Sequence, residues 1–208
     1  MRREGSEDAA HDYDHLVRVM TLAETIQTHE GGYLPTIWAA IAFHDIGQER
    51  ERQHGDDHAL IGADMAANLL TGTRFPQEAL SAVQQAIRDH RMTGKNTPQS
   101  LEGRILYDAD KIDCLGAIGI GRLYLITGRR NQKVYSPVPT DIVEPVDPQV
   151  VRTLRNRPDY SPSIEFQLLF GDLPDRMTTS TGKLLAQERY AYMKEFFTRL
   201  RKEVEGEL

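Results

Sequence analysis

The stretch 39-AAIAFHDIG-47 starts as an unbroken apolar run and closes on His44 and Asp45 side by side. An imidazole and a carboxylate at the end of so apolar a helix are costly to bury unless they are paired, hydrogen-bonded or bound to a metal. Their partners have to come from elsewhere in the chain.

Outward from this stretch the apolar spacing is helical almost everywhere. Upstream, Leu16, Val19, Met20, Ala23 and Ile26 recur at steps of three and four and predict an amphipathic helix of about 17 residues. Pro35 sits near the start of the helix that carries the opening stretch. Its Ile37, Trp38, Ala40, Ile41 and Phe43 leave little polar face, which predicts a central position, with Gly47 able to cap its end. Downstream, Asp56 or Asp57 can cap a helix with the stripe His58, Ile61, Met65 and Leu69. A further helix after Pro76 carries Leu80, Val83 and Ile87, with His90 next in line.

A long helix is predicted from about Pro98 to Ile126, over "LEGRILYDADKIDCLGAIGIGRL". Residues 127–162 are proline-rich and weakly periodic and read as a long surface excursion. Helical spacing returns in "SIEFQLLF" and in a C-terminal helix over 182–206, with Leu184, Leu185, Tyr192, Phe196 and Leu200. No repeat or alternating strand is found, so the expected architecture is all-α, in one domain over 1–208 with a disordered start at 1–10.

Composition narrows the function classes. A chain of 208 residues with net charge -6 lacks the basic surface that grips a nucleic-acid polymer, although a nucleotide small enough for a pocket is allowed. Cys114 alone excludes an internal disulfide framework. "MRREGSEDAAHDYDH" lacks the apolar core of a signal peptide, and no apolar run approaches the roughly 20 residues of a spanning helix. A cytoplasmic protein without membrane partners is expected, as a monomer or, through C-terminal helical faces, a homodimer.

The polar residues that interrupt apolar stripes are few: His15, His44, Asp45, His58, His90 and Asp110, drawn from five predicted helices. A bundle builds a metal site in this way, with side chains from facing helices projecting into one gap. Singly, each is more often a hydrogen-bonded core or cap residue. In "YDADKID", Asp110 shares a helical line with Leu106, Asp113 and Ala117, whereas Asp108 lies about 200° away, so only one of the two can face the site. Two imidazoles and two carboxylates suit a divalent transition metal better than a bare Mg²⁺ or Ca²⁺ site, and affinity order alone does not choose among them. Mn²⁺ is the favoured expectation, with Fe²⁺, Co²⁺, Ni²⁺, Zn²⁺ or Mg²⁺ as further candidates. Positions left open on such an ion serve a hydrolase, one for water and one for a phosphoryl oxygen.

His15 in "HDYDHLVRV", His44-Asp45 in "FHDIG" and Asp110 in "DADKID" resemble the H…HD…D signature of the HD-domain metal-dependent phosphohydrolases, an all-α superfamily. "LEGRILYDADKIDCLGAIGIGRL" and "MTTSTGKLLAQERYAYMKEFF" are further similar to a subgroup of small stand-alone bacterial and archaeal members. The resemblance covers about His11 to Phe197. It implies a helical bundle with a metal between helices, held by His15, His44, Asp45 and Asp110. It also implies hydrolysis of a phosphate ester or anhydride, most often in a nucleotide, including triphosphates cleaved to monophosphate and pyrophosphate. Asp45 would both ligate the ion and orient its water.

Supporting roles carry alternatives. His11 precedes His15 by four and can protonate the leaving oxygen, as a histidine placed similarly does in the distantly related cyclic-nucleotide phosphodiesterases; a frayed, solvated turn is the other reading. Arg18 can clamp a phosphate or pair with a ligand carboxylate. Lys111 is a weaker phosphate candidate, against an exposed stem. Asp113 can orient a ligand histidine. His58 and His90 resemble positions that hold a second metal or touch the scissile phosphate in relatives. Phosphate contact or an incomplete second site is preferred here, because no further carboxylate is placed to bridge two ions, and a single metal is the first reading. The competing class is a non-catalytic nucleotide-sensing module using the same pocket.

Overall fold

The computed structural model describes residues 13–91, 97–138, 150 and 153–208. Every regular element among them is helical: α1 (Tyr13–Glu30), α2 (Leu34–Phe43), α3 (Gln48–His54), α4 (His58–Leu70), α5 (Leu80–Asp89), α6 (Leu101–Ile112), α7 (Gly116–Arg129), α8 (Pro162–Leu169) and α9 (Ser180–Glu205). Short 3-10 turns lie at Gln77–Ala79 and Leu173–Arg176. The expected all-α architecture holds. Residues 1–10 and His11 lie outside the described residues, as do 139–149 of the proline-rich stretch. No described helix is long and apolar enough to cross a membrane.

Where the sequence reads as one domain, the chain groups into two compact units, one of residues 1–111 with 177–182 and one of 112–176 with 183–208. In the first, α5 packs on α2 and α4, and α2 also meets α1 and α4. Its core contains Val19, Ala23 and Ile26 of α1, Ile37 and Ile41 of α2, and Val83 and Ile87 of α5, all fully or almost fully buried. The buried face of α1 thus follows the predicted stripe, extended by His15 and Leu22. Pro35 occupies the first turn of α2, where a missing N–H costs nothing.

Two stripes differ in phase from the sequence reading. On α4 the buried residues are Ala59, Gly62, Ala63 and Ala66. Leu69, assigned to the core, is 54% exposed. Small side chains let α4 approach its neighbours closely, and a count of large apolar residues misses such a face. On α9, Ala186, Met193 and Phe197 are buried while Leu184 and Tyr192 are exposed. Trp38 of the apolar α2 lies at the surface, where its indole N–H donates to Glu24 Oε1 at 3.0 Å.

The predicted long helix is two. It breaks after α6, and Gly116 adopts a φ of 71°, a left-handed conformation that a Cβ would disfavour. In the second unit, α7 packs with α8. Phe166 of α8 stacks on Phe197 at 4.7 Å and on Tyr190 at 5.4 Å. The described parts of 127–162 are not wholly superficial: Leu154 and Tyr160 form a buried cluster with Ile164.

One segment returns to the first unit from far along the chain. Thr178 and Thr179 each give a backbone N–H and a hydroxyl to Asp108, at 2.6 to 2.9 Å. Asp108 therefore faces away from the site, as the helical phase of "DAD" predicts. Next to it, Thr181 N and Oγ1 donate to Glu30 Oε1 at 2.7 and 2.8 Å, so the last residue of α1 caps the first turn of α9.

Candidate metal centre

His44 and Asp45 leave the C-terminal end of α2, where the apolar run of Ile37, Ala40 and Ile41 buries the helix and carries its end inside. The turn that follows contains Gly47, whose φ of -82° is not the left-handed cap expected. Its function is closeness: a Cβ there would lie 2.4 Å from the His58 carbonyl oxygen. Only glycine lets the His44–Asp45 turn meet the start of α4, which Asp57 caps by accepting from Ala59 N at 2.9 Å. His58 is thereby set beside Asp45. His90 arrives as the C-cap of α5, His15 from the first turns of α1 and Asp110 from the last turn of α6.

These six residues converge in two groups. His15, His44 and Asp110 form one, and Asp45, His58 and His90 the other; within each, ligand atoms lie within 4.8 Å of one another, close enough to hold a metal ion. Asp110 Oδ1 is 3.6 Å from His15 Nε2 and 3.8 Å from His44 Nε2. Asp45 faces both groups. Its Oδ2 is 3.3 Å from His44 Nε2, and its Oδ1 is 3.7 Å from His90 Nε2 and 3.9 Å from His58 Nε2. Asp45 is thus a carboxylate within reach of both groups, a placement that the sequence did not reveal.

Hydrogen bonding fixes the imidazoles. His44 Nδ1 lies 2.8 Å from Ile41 O and His90 Nδ1 2.5 Å from Ile87 O. His58 Nδ1 lies 2.5 Å from Glu51 Oε2. A carbonyl or an ionised carboxylate can only accept, so each Nδ1 carries a proton and Nε2 is the nitrogen that each ring turns towards the centre. His58 Nε2 and His90 Nε2 are 3.2 Å apart. Buried His44 Nε2 makes no hydrogen bond. Lone pairs facing lone pairs and carboxylates are favourable only around a cation. The donor set of imidazole nitrogen and carboxylate oxygen fits a divalent transition metal.

The charges respond accordingly. Burial pushes His44 down, but the carboxylates of Asp45 and Asp110 outweigh it and raise the imidazole to about 9. Burial also opposes ionisation of Asp45 and Asp110, yet His44 and His90 hold the first, and Lys111 and His44 the second, well below the usual carboxylate range. Burial lowers His90 further than Asp45 lifts it.

The other expected residues are distributed unevenly. Lys111 is not an exposed stem: it is 8% exposed, 2.5 Å from Asp110 Oδ2, and lies over the Tyr107 ring. Arg18 is half-buried on α1, one turn beyond His15. Asp113 Oδ2 accepts from Arg122 Nη1 at 2.7 Å, within the second unit. His11 falls outside the described residues. Glu51 and Arg91, which the sequence did not single out, join the periphery; Arg91 Nη2 donates to Glu51 Oε1 at 3.1 Å, and Arg91 Nη1 lies 2.9 Å from Asp57 Oδ1. Their signal in sequence is faint, since α3 is polar throughout.

The HD-domain family model matches residues 12–115, and the chain belongs to that family. It is 26% identical over 204 residues to YpgQ of Bacillus subtilis strain 168, covering 96% of this chain and 87% of YpgQ. The crystal structure of YpgQ in complex with ADP superimposes with a TM-score of 0.69 at 26% identity, over 94% of this chain and 88% of that one. An HD superfamily hydrolase from an uncultured Thermotogales bacterium matches at 28% identity and a TM-score of 0.63, over 96% of this chain and 85% of its own. A Lactobacillus plantarum protein matches at 28% and 0.73, over 96% and 90%.

Proposed function

We propose that this protein is a divalent-cation-dependent phosphohydrolase that acts on a nucleotide, cleaving a phosphate ester or anhydride. The observation that supports this reading is the grouping of His15, His44 and Asp110 within metal-holding reach of one another, with Asp45 Oδ2 3.3 Å from His44 Nε2 and the Nδ1–H of His44 committed elsewhere. Those four residues would hold the first cation. Asp45 Oδ1 also lies 3.9 and 3.7 Å from His58 and His90, which with it would hold a second cation, the alternative to the direct phosphate contact expected from sequence. When bound, such ions lower the pKa of water towards neutrality and offset charge that develops on phosphoryl oxygens.

The chain's own residues supply the remainder. Asp45 accepts a hydrogen bond from the attacking water and aligns it with the phosphorus. Arg18, half-buried on α1, and Lys111, buried beside Asp110, offer positive charge to phosphate oxygens. His11, four residues before His15, gives its proton to the leaving oxygen as the P–O bond breaks. The ADP bound by YpgQ supports a nucleotide as the ligand class. Manganese is the first ion to test.

A screen of nucleoside mono-, di- and triphosphates with Mn²⁺, Mg²⁺, Co²⁺ and Ni²⁺, scoring phosphate and pyrophosphate separately, tests the reading. Release from a nucleotide that disappears in H44A and D45A is expected. No release with any pair, or full turnover in metal-free D45A, overturns it.

A further inference from the structure

Glu51 divides its carboxylate between two partners. Oε2 takes the Nδ1–H of His58 at 2.5 Å, and Oε1 takes Arg91 Nη2 at 3.1 Å. Arg91 also reaches Asp57, the cap of α4, at 2.9 Å. The carboxylate is thus held in one rotamer by a guanidinium that is itself tied to the helix His58 begins.

Among the three imidazoles whose tautomer is fixed, His58 differs in kind. His44 and His90 give their Nδ1–H to a carbonyl three residues back in their own turn, so the backbone alone sets their tautomer. His58 relies on a side chain from another helix. Neutral imidazole has two tautomers, and without an acceptor at Nδ1 the ring can place its proton on Nε2. That proton would point at Asp45 Oδ1 and His90 Nε2, at 3.9 and 3.2 Å, and would occupy the space of the second cation. A carboxylate behind a ligand imidazole also makes its far nitrogen a better donor to a metal.

Resting on the two-cation reading above, the geometry points to Glu51 as a positioning residue. It holds His58 in the Nδ1–H tautomer, aims the Nε2 lone pair at the Asp45–His90 position, and so sets occupancy of the second cation without affecting the first.

Mn²⁺ titration of the full chain by calorimetry and electron paramagnetic resonance tests this in wild type, E51A and E51Q. Wild type is expected to take two equivalents. E51A should keep the first with unchanged affinity and bind the second about 10- to 100-fold more weakly, losing the spin-coupled signal of a cation pair. In E51Q the amide oxygen still accepts from Nδ1–H, so the second equivalent should weaken less than about tenfold. Two equivalents at wild-type affinity in E51A, or a wild type that binds only one, overturn the proposal and leave the phosphohydrolase reading standing. A wild type that binds none removes both. Independently of any variant's folding, long-range ¹H–¹⁵N spectra of cation-free wild type should show His58 protonated on Nδ1; protonation on Nε2 overturns the assignment.

Discussion

Gly47 and His58 touch through their backbones, and a methyl group on Gly47 would sit 2.4 Å from the His58 carbonyl oxygen. Backbone cannot yield as a flexible side chain does. G47A is therefore expected to lose about 1–3 kcal/mol of stability, the range for overpacking, and to move His58 away from Asp45. Urea denaturation measures the first effect and Mn²⁺ stoichiometry the second. An unchanged midpoint with both cations retained would show that the turn relaxes freely.

Removing a ligand should separate chemistry from folding. H44A and D110N are expected to lose activity by more than the roughly 10- to 100-fold typical of an outer hydrogen-bond partner, while far-ultraviolet circular dichroism stays helical. Chelation of wild type should have the same effect reversibly. In the stripped protein the Asp45 and Asp110 carboxylates repel each other among the buried imidazoles and Lys111, so cation binding should raise the melting temperature.

Asp108 and Asp110 stand two residues apart with opposite duties. Asp108 is fully buried and accepts from four donors of Thr178 and Thr179. D108A strands these donors and is expected to cost about 3 kcal/mol or more, at roughly 1–3 kcal/mol per unsatisfied buried group. Its cation affinity, measured below the melting range, should be close to wild type. A D108A protein as stable as wild type would mean that water replaces the carboxylate completely.

Glu30 supplies a pH dependence remote from the cations. Hydrogen bonds from the Thr181 backbone and hydroxyl lower its carboxyl pKa. A carboxyl whose pKa falls on folding contributes stability that is present above its unfolded value, near about 4.3, and lost as pH falls through the folded one. E30Q should thus be less stable than wild type at neutral pH, with the difference shrinking on acidification. Thermal melts from neutral to acid pH follow it; a constant gap would assign the effect to shape and not charge.

Much of this was legible in sequence. The phase of "DAD" separated Asp110 from Asp108, and Asp57 announced the start of α4, because helical period and capping are local rules. The six converging residues were likewise visible as polar interruptions of apolar stripes. Other features were not. The core face of α4 is built from Ala59, Ala63 and Ala66, and that of α9 includes Ala186 beside Met193 and Phe197; burial of such small residues depends on how closely another helix approaches. Gly116 broke a continuous helical pattern because its left-handed φ leaves apolar spacing intact. Asp45 as a bridge and Glu51 behind His58 depend on distances across the chain, on which spacing is silent.

The return of residues 177–182 to the first unit has a practical corollary. The stretch covered by the family model ends at residue 115, yet the hydroxyls that solvate Asp108 lie more than sixty positions beyond it. A fragment cut at that border would carry every candidate ligand described but would strip Asp108 of its four donors from Thr178 and Thr179. Cloning boundaries, domain fusions and split reporters for this family are better drawn through Gly182 than at the edge of the matched segment.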